Sequence, residues 1–323
     1  MAGETTANNT VLIRAELWSG QLKDVLQEEL IDAQRYVNWL TEFPDGTTFT
    51  IPSINNQVEL DNYVEDTAIT YRAMSKGEFQ FSITEYKSAG TYITKKNRQD
   101  AYYASMLEAM FVPAQARAIA EDVETTILAL ANTQTLSDPN TINGANHRWV
   151  ASGTNEVIAI TDFAYADYAL TMANVPQTGR VAIVDPSVAF TLSTHPNFVN
   201  HVATTPMWEG IVSENIASGM KFIRNLYGFD VYVSKFLPTA NETITSAAGA
   251  RTTASGKANL FFSSDSAVLP FIGAWRQMPE VDSEYNKDFQ REEYLTTARY
   301  GVKLYRPENL IVVLSDTDQV SPV

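Results

Sequence analysis

Residues 46–98 are strand-forming sequence with too little apolar mass to fold alone, and that limits what the whole chain can become. The segment opens on TFTIPSI and closes on FQFSITEYKSAGTYITKK, both rich in β-branched and aromatic residues. Phe79, Phe81, Ile83 and Glu85 alternate with Gln80, Ser82, Thr84 and Tyr86, the period of a strand with two unlike faces. Between the two runs, Asn55 to Gly77 is acidic and turn-rich and carries Glu59, Asp61, Glu65 and Asp66. The pattern predicts one extended hairpin. A two-stranded hairpin is marginal in water, so this one needs a second surface, either its own domain or another subunit. We expect it to borrow a neighbour's.

The rest of the chain supplies that domain. Leu22, Leu26, Leu30, Ala33, Val37 and Leu40 predict an amphipathic helix over 14–41, stopped by Pro44-Asp45-Gly46. A second helix is expected over 113–132, with Pro113 in its first turn and Ala116, Ile119, Val123, Ile127 and Leu130 on one stripe. Glu121, Asp122 and Glu124 fall off the stripe and read as a solvated face. After an Asn-rich loop or short hairpin over 136–156, an α/β pattern begins. It comprises a helix over 162–174, a strand over 180–184, a helix capped by Asp185-Pro186 and a strand after Tyr227-Gly228. Residues 241–257 are small and polar and are expected to form an exposed tip. Strands are expected over 258–262, in one long run over 281–305 and over 309–314, with Arg306-Pro307 as a break. No repeat or linker divides the chain, so its domains are expected to interweave.

Composition removes whole classes of chemistry. The 323 residues include no cysteine and three histidines, which excludes disulfides, thiol nucleophiles and cysteine-ligated zinc. With 45% hydrophobic and 19% charged residues the chain buries a real core. The opening MAGETTANNT does not read as a secretory signal, and the apolar runs are strand-sized, so no membrane contact is expected. A formal charge of −15 argues against tight nucleic-acid binding, and the one dense basic cluster, Lys95-Lys96-Asn97-Arg98, reads as a solvated or subunit-facing strand end. Gly256-Lys257 lacks the P-loop spacing and is followed by Ala258. No GxGxxG, GxSxG or HExxH occurs. His195 and His201 lie six apart, poorly placed for one helix face, and His147 sits in the Asn-rich loop. No catalytic, cofactor-binding or metal-binding residue is assigned, and the chain does not read as an enzyme.

The order of these elements resembles the major capsid proteins of tailed bacteriophages, the Hong Kong 97 fold. The resemblance covers nearly the whole chain: the amphipathic arm, EFQFSITEYKSAGTYITKKNRQDAYY, PAQARAIAEDVETTILAL, GRVAIVDPSVAFTL, LYGFDVYVSKFLP and REEYLTTARYGVKLYRPENLIVVLSD. It implies an α+β chain with an N-terminal arm over 1–45 and an extended E-loop over 46–98. A peripheral domain with a long spine helix would span 99–155 and 275–308, and an α/β axial domain with the C-terminal tail would span 156–274 and 309–323. The implied role is structural: self-assembly into pentamers and hexamers that form an icosahedral head enclosing double-stranded DNA, in a virion assembled in the host cytoplasm. Implied partners are copies of itself, a separate scaffolding protein, a portal, a decoration protein and weakly contacted DNA. The resemblance points to Glu59, Asp61, Glu65, Asp66, Arg72, Lys76 and Asn286 as intersubunit contacts. Some members weld a lysine to an asparagine across subunits. Lys76 and Asn286 lie in corresponding regions with Glu292 and Glu293 downstream, but the local sequences depart from the bonded pattern. The negative charge makes copies repel, so assembly is expected to accelerate with moderate salt. The competing expectations are an encapsulin-like nanocompartment shell and a carboxylate-dependent hydrolase.

Overall fold

The structure, a computed structural model, describes residues 30–40, 48–54, 60–66, 68, 71, 76–100, 104–133, 139–194, 222–246, 249–253 and 256–317. In chain order the first half holds β1 (Val37–Leu40), β2 (Thr48–Ile54), β3 (Lys76–Ser82), β4 (Glu85–Thr94), α1 (Lys95–Asp100), α2 (Ala104–Ala129), β5 (Thr141–Ile142), β6 (Ala145–Asn146) and β7 (Arg148–Val150). The second half holds α3 (Ile160–Met172), β8 (Arg180–Val184), α4 (Pro186–Thr194), β9 (Phe222–Leu226), β10 (Phe229–Val233), β11 (Thr239–Ala240), β12 (Thr243–Ser246) and β13 (Gly249–Thr252). It closes with β14 (Gly256–Ser263), β15 (Phe271–Asn286), β16 (Arg291–Leu304) and β17 (Ile311–Asp316).

A central sheet runs β7-β17-β14-β8-β10-β9, with β11 added to β14. Its middle strands β8, β14 and β17 carry long apolar runs because both of their faces are covered. Val181, Ile183, Leu260, Phe262, Val312 and Leu314 enter one core with Ile119, Val123, Ile127 and Leu128 of α2. Ala182, Val184, Phe229, Val231, Phe261, Ile311 and Val313 point the other way and meet Phe163, Ala166 and Leu170 of α3 and Val188 and Leu192 of α4. The polar exceptions are satisfied. Asn259 accepts the Asp185 amide at 2.9 Å and donates to the Val313 carbonyl at 3.0 Å. Asp185 caps α4 by accepting the Ser187 amide at 3.0 Å, as expected of Asp-Pro. Tyr227 and Gly228 both take positive φ, the requirement of the tight turn joining β9 to β10.

A second sheet runs β1-β15-β16-β4. Its helix-facing side is pinned to α2 by buried Gln115, whose amide donates to Thr91 Oγ1 at 2.7 Å and accepts from Thr296 Oγ1 at 2.7 Å. α2 starts well before the expected position, so Pro113 sits inside it. Val112, Pro113 and Ala114 are exposed, so the proline lies on the open side of the helix. Gln115 is buried and Ala116 is exposed, so the stripe is one residue out of the expected phase there. The run expected over 281–305 is two antiparallel strands, β15 and β16, joined by a turn with Gln290 at φ 47°.

Three further expectations are corrected. The helix predicted over 14–41 lies outside the described residues up to position 29. Its described final stretch is not an α-helix: Asp32 takes φ 60°, Ala33–Tyr36 forms a single 3-10 turn, and Val37–Leu40 pairs in parallel with Phe271–Ala274. The hairpin expected to run to Arg98 ends at Ser82, where β3 finishes its pairing with β2, and β4 joins β16 in the second sheet. Its base is seated on its own chain, with Phe81 and Ile83 buried against Ile272 and Ala274. Finally, the expected exposed tip over 241–257 folds back as the β12–β13 hairpin and the β14 start, with Glu242 and Ile244 buried.

Candidate assembly surface

Two buried carboxylates hold the frame. Glu124 is 2% exposed and accepts the Ile31 amide at 3.2 Å and the Asp32 amide at 3.1 Å. Burial pushes its pKa up, and the backbone amides of Ile31, Asp32 and Ala33 oppose that rise. The residue expected on a solvated helix face is therefore the clasp between α2 and the entering chain. Its neighbour Asp122 accepts from the Tyr300 hydroxyl at 2.7 Å and pairs with Lys87 at 3.2 Å, while Glu121 pairs with Arg117. Glu242 receives Arg148 in a bidentate pair, Nη2 to Oε1 at 2.5 Å and Nε to Oε2 at 3.1 Å, and Arg148 Nη1 also donates to the Ala131 carbonyl at 2.9 Å. This pair ties the end of the α2 region, β7 and the β12 hairpin together.

Among the described residues, the titratable groups and the main cleft do not assemble a reacting centre. A cleft of about 370 Å³ is lined by Trp149, Asp162, Tyr165, Ile244 and Arg251. Asp162 is spent structurally there, accepting the Ser152 and Ala159 amides and the Trp149 indole. His147 is buried, its Nδ1 lies 3.1 Å from the Ala145 carbonyl, and burial holds its pKa below the ordinary 6.5. His195 and His201 lie outside the described residues. No group of three or more His, Cys, Asp or Glu among the described residues is placed to hold a metal ion. Nor is any described helix long and apolar enough to cross a membrane.

What the fold does present is open surface on the second sheet. Register places Tyr86, Tyr92 and Leu295 on the side opposite α2, and all three are exposed. Met278 and Phe289 are exposed on the same ribbon, and Leu60, Tyr63, Val64 and Tyr71 are exposed between β2 and β3. Clustered exposed aromatics of this kind mark contact surfaces. The ribbon end is tied together by Arg291: its guanidinium lies 4.5 Å from the Tyr92 ring and 4.7 Å from the Phe289 ring, and its Nε pairs with Glu293 at 2.5 Å. Arg98 pairs with Glu292 at 2.6 Å alongside.

The residues singled out from sequence fall in two places. Asp61, Glu65 and Asp66 are exposed between β2 and β3, and Lys76 opens β3 opposite Ile54. Glu59 and Arg72 lie outside the described residues. Asn286 sits at the far end of β15, where its Oδ1 accepts the Asp288 amide at 3.1 Å and its Nδ2 donates to Glu293 at 3.2 Å. Its amide is thus used to shape the turn. Sequence reasoning missed Glu124, Arg148 and Glu242, because their partners are distant in the chain. The faint signal was an acidic residue one step off an apolar stripe.

A family model described as phage capsid protein matches residues 78–313. The chain belongs to that family. It is a structural, non-enzymatic capsid component of the virion, and the tailed-phage resemblance read from its sequence holds. A search among curated proteins finds no match. Among solved structures, one from Mycobacterium phage Che8 is 19% identical, with 94% of this chain and 97% of that chain covered and a TM-score of 0.67. The capsid structure of Cyanophage P-SCSP1u is 14% identical with 96% and 94% covered and a TM-score of 0.68. The capsid of Ralstonia phage GP4 is 10% identical, fully covered in both directions, with a TM-score of 0.63. At these identities the likeness is one of fold, and the mixed helix-and-sheet architecture of the capsid protein is theirs.

Proposed function

We propose that this capsid protein assembles with copies of itself into pentamers and hexamers, which close as an icosahedral head around double-stranded DNA. The observation that carries the proposal is the division of labour in the fold. A fully covered core supports two projections, the β2–β3 hairpin and the β15–β16 ribbon, which keep aromatic side chains exposed on the subunit surface. Obligate assemblies bury on the order of 2,000–5,000 Å² per interface, and projections add that area without a larger core. In this proposal 1–45 is an arm and 46–98 an E-loop. Residues 99–155 and 275–308 form a peripheral domain, and 156–274 with 309–323 an axial domain and tail. A separate scaffolding protein, a portal and a decoration protein complete the head. A charge of −15 keeps the inner wall from gripping phosphates as DNA enters.

Negative-stain microscopy of the purified protein tests this. Closed shells are expected, with nucleic acid in particles recovered from infected cells, and light scattering should rise faster as ionic strength increases moderately. A protein that stays monomeric with scaffolding protein present, or shells that hold protein cargo and no DNA, would overturn it.

A further inference from the structure

The β15–β16–β4 ribbon leaves one sheet edge without a partner. β1 covers β15 only at Phe271–Ala274, so from Trp275 to Asn286 no described strand pairs with its outer edge. That stretch is built against backbone pairing with another strand: its register shifts twice between Trp275 and Glu280, it contains Pro279, and Glu280, Asp282 and Glu284 alternate along it. By register with Thr297, Leu295 and Glu293, these three carboxylates share the open face with Leu295 and Tyr92. Asp282 and Glu284 are exposed and have no hydrogen bond or ion pair among the described residues.

At the ribbon's other edge β4 runs directly into α1, whose six residues are all exposed. The Lys95 amide donates to the Gln290 carbonyl at 2.9 Å, which fixes this corner beside the ribbon turn. Arg98 is neutralised by Glu292. Lys95 and Lys96 have no acidic partner among the described residues, although the chain carries 38 acidic against 23 basic side chains. Each ribbon is thus electrically lopsided, with unpaired carboxylates along one edge and unpaired ammonium groups at the corner of the other.

We infer that Lys95 and Lys96 of one copy dock on the Asp282–Glu284 edge of a second copy. Two acidic edges repel, as do two basic corners, so the basic corner of each copy meets the acidic edge of another, and repeated head to tail this contact closes into rings. The inference rests on self-assembly as proposed above and names the surface that orients it. The contact gives direction and register, while the aromatic side chains on the open face supply buried area.

Charge reversal tests it. Lys95→Glu with Lys96→Glu is expected to abolish fast-sedimenting shells while leaving the circular dichroism and melting curve of the subunit unchanged. Adding Asp282→Lys and Glu284→Lys to the same chain is expected to restore them. Normal shells from the reversed lysines, or failure of the four-fold exchange to restore them with folding intact, would overturn the contact. Because the chain has no cysteine, Lys95→Cys protein mixed with Glu284→Cys protein and a short bismaleimide gives an independent reading. A covalent dimer present in the mixture and absent from either variant alone supports the contact, and its absence overturns it. If the unaltered protein forms no shells, the assembly proposal fails, and the cross-link alone decides whether the two edges meet.

Discussion

The central sheet and the β15–β16 ribbon are both β structure of apolar and aromatic residues, yet they do opposite work. In β8, β14 and β17 both alternating sets of side chains are buried, one against α2 and the other against α3 and α4. In β4 and β16 of the ribbon only the α2 side is covered, and the other side keeps Tyr86, Tyr92 and Leu295 in water. The same strand chemistry serves stability where two layers enclose it and recognition where one does. The buried ion pair and the exposed one repeat the contrast: Arg148–Glu242 is sealed in the frame, whereas Arg98–Glu292 sits at the ribbon corner with both partners part-exposed.

The largest effects should come from the enclosed region. Arg148→Ala leaves Glu242 buried without its partner and should cost about 3–5 kcal/mol in urea unfolding of the unassembled subunit. Arg148→Met with Glu242→Leu should recover most of that loss. If the single variant costs no more than a surface change, the contrast between the regions fails. Phe261→Ala, which removes a ring packed edge-on against Phe163 and Phe229, should likewise cost about 3–5 kcal/mol by the same measurement.

Glu124→Ala should cost less, about 1–3 kcal/mol, since it strands two backbone amides. Its sharper sign is local: amide exchange at Ile31 and Asp32 should accelerate far more than exchange in β8. The pH dependence of His147 comes next. Its pKa is depressed in the folded state, so below the ordinary 6.5 the unfolded chain takes the proton first. Stability should therefore be full above that value and decline as pH falls through the window beneath it, by at most about 1.4 kcal/mol per pH unit. His147→Gln should flatten that part of the curve, and an unchanged slope would refute the assignment. Smallest of all for the subunit, Tyr92→Ser and Leu295→Ser should move its stability by no more than about 0.5 kcal/mol. They should nonetheless lower shell yield in sedimentation. A large loss of subunit stability would mean that the open face is not open.

Much was legible locally. The apolar strands at 180–184 and 258–262, the Asp185-Pro186 cap and the Tyr227-Gly228 turn depend on neighbours a few residues away, so their pattern was visible in the chain itself. Order and texture of the elements were also enough to place the chain among phage capsid proteins. What stayed hidden depends on partners far off in sequence. Val37 and Leu40 continue a helical stripe by spacing, yet the waiting edge of Phe271–Ala274 draws them into a strand. Glu124 looks solvated until Ile31, 93 residues earlier, brings it an amide, and Glu242 looks like a loop residue until Arg148, 94 residues earlier, meets it. Residue type and spacing determined which segments prefer helix, strand or turn, because those preferences are set by a residue's own backbone and near neighbours. Only the tertiary structure decided which polar groups are buried and which sheet face is left open, because desolvation depends on what the rest of the chain brings alongside.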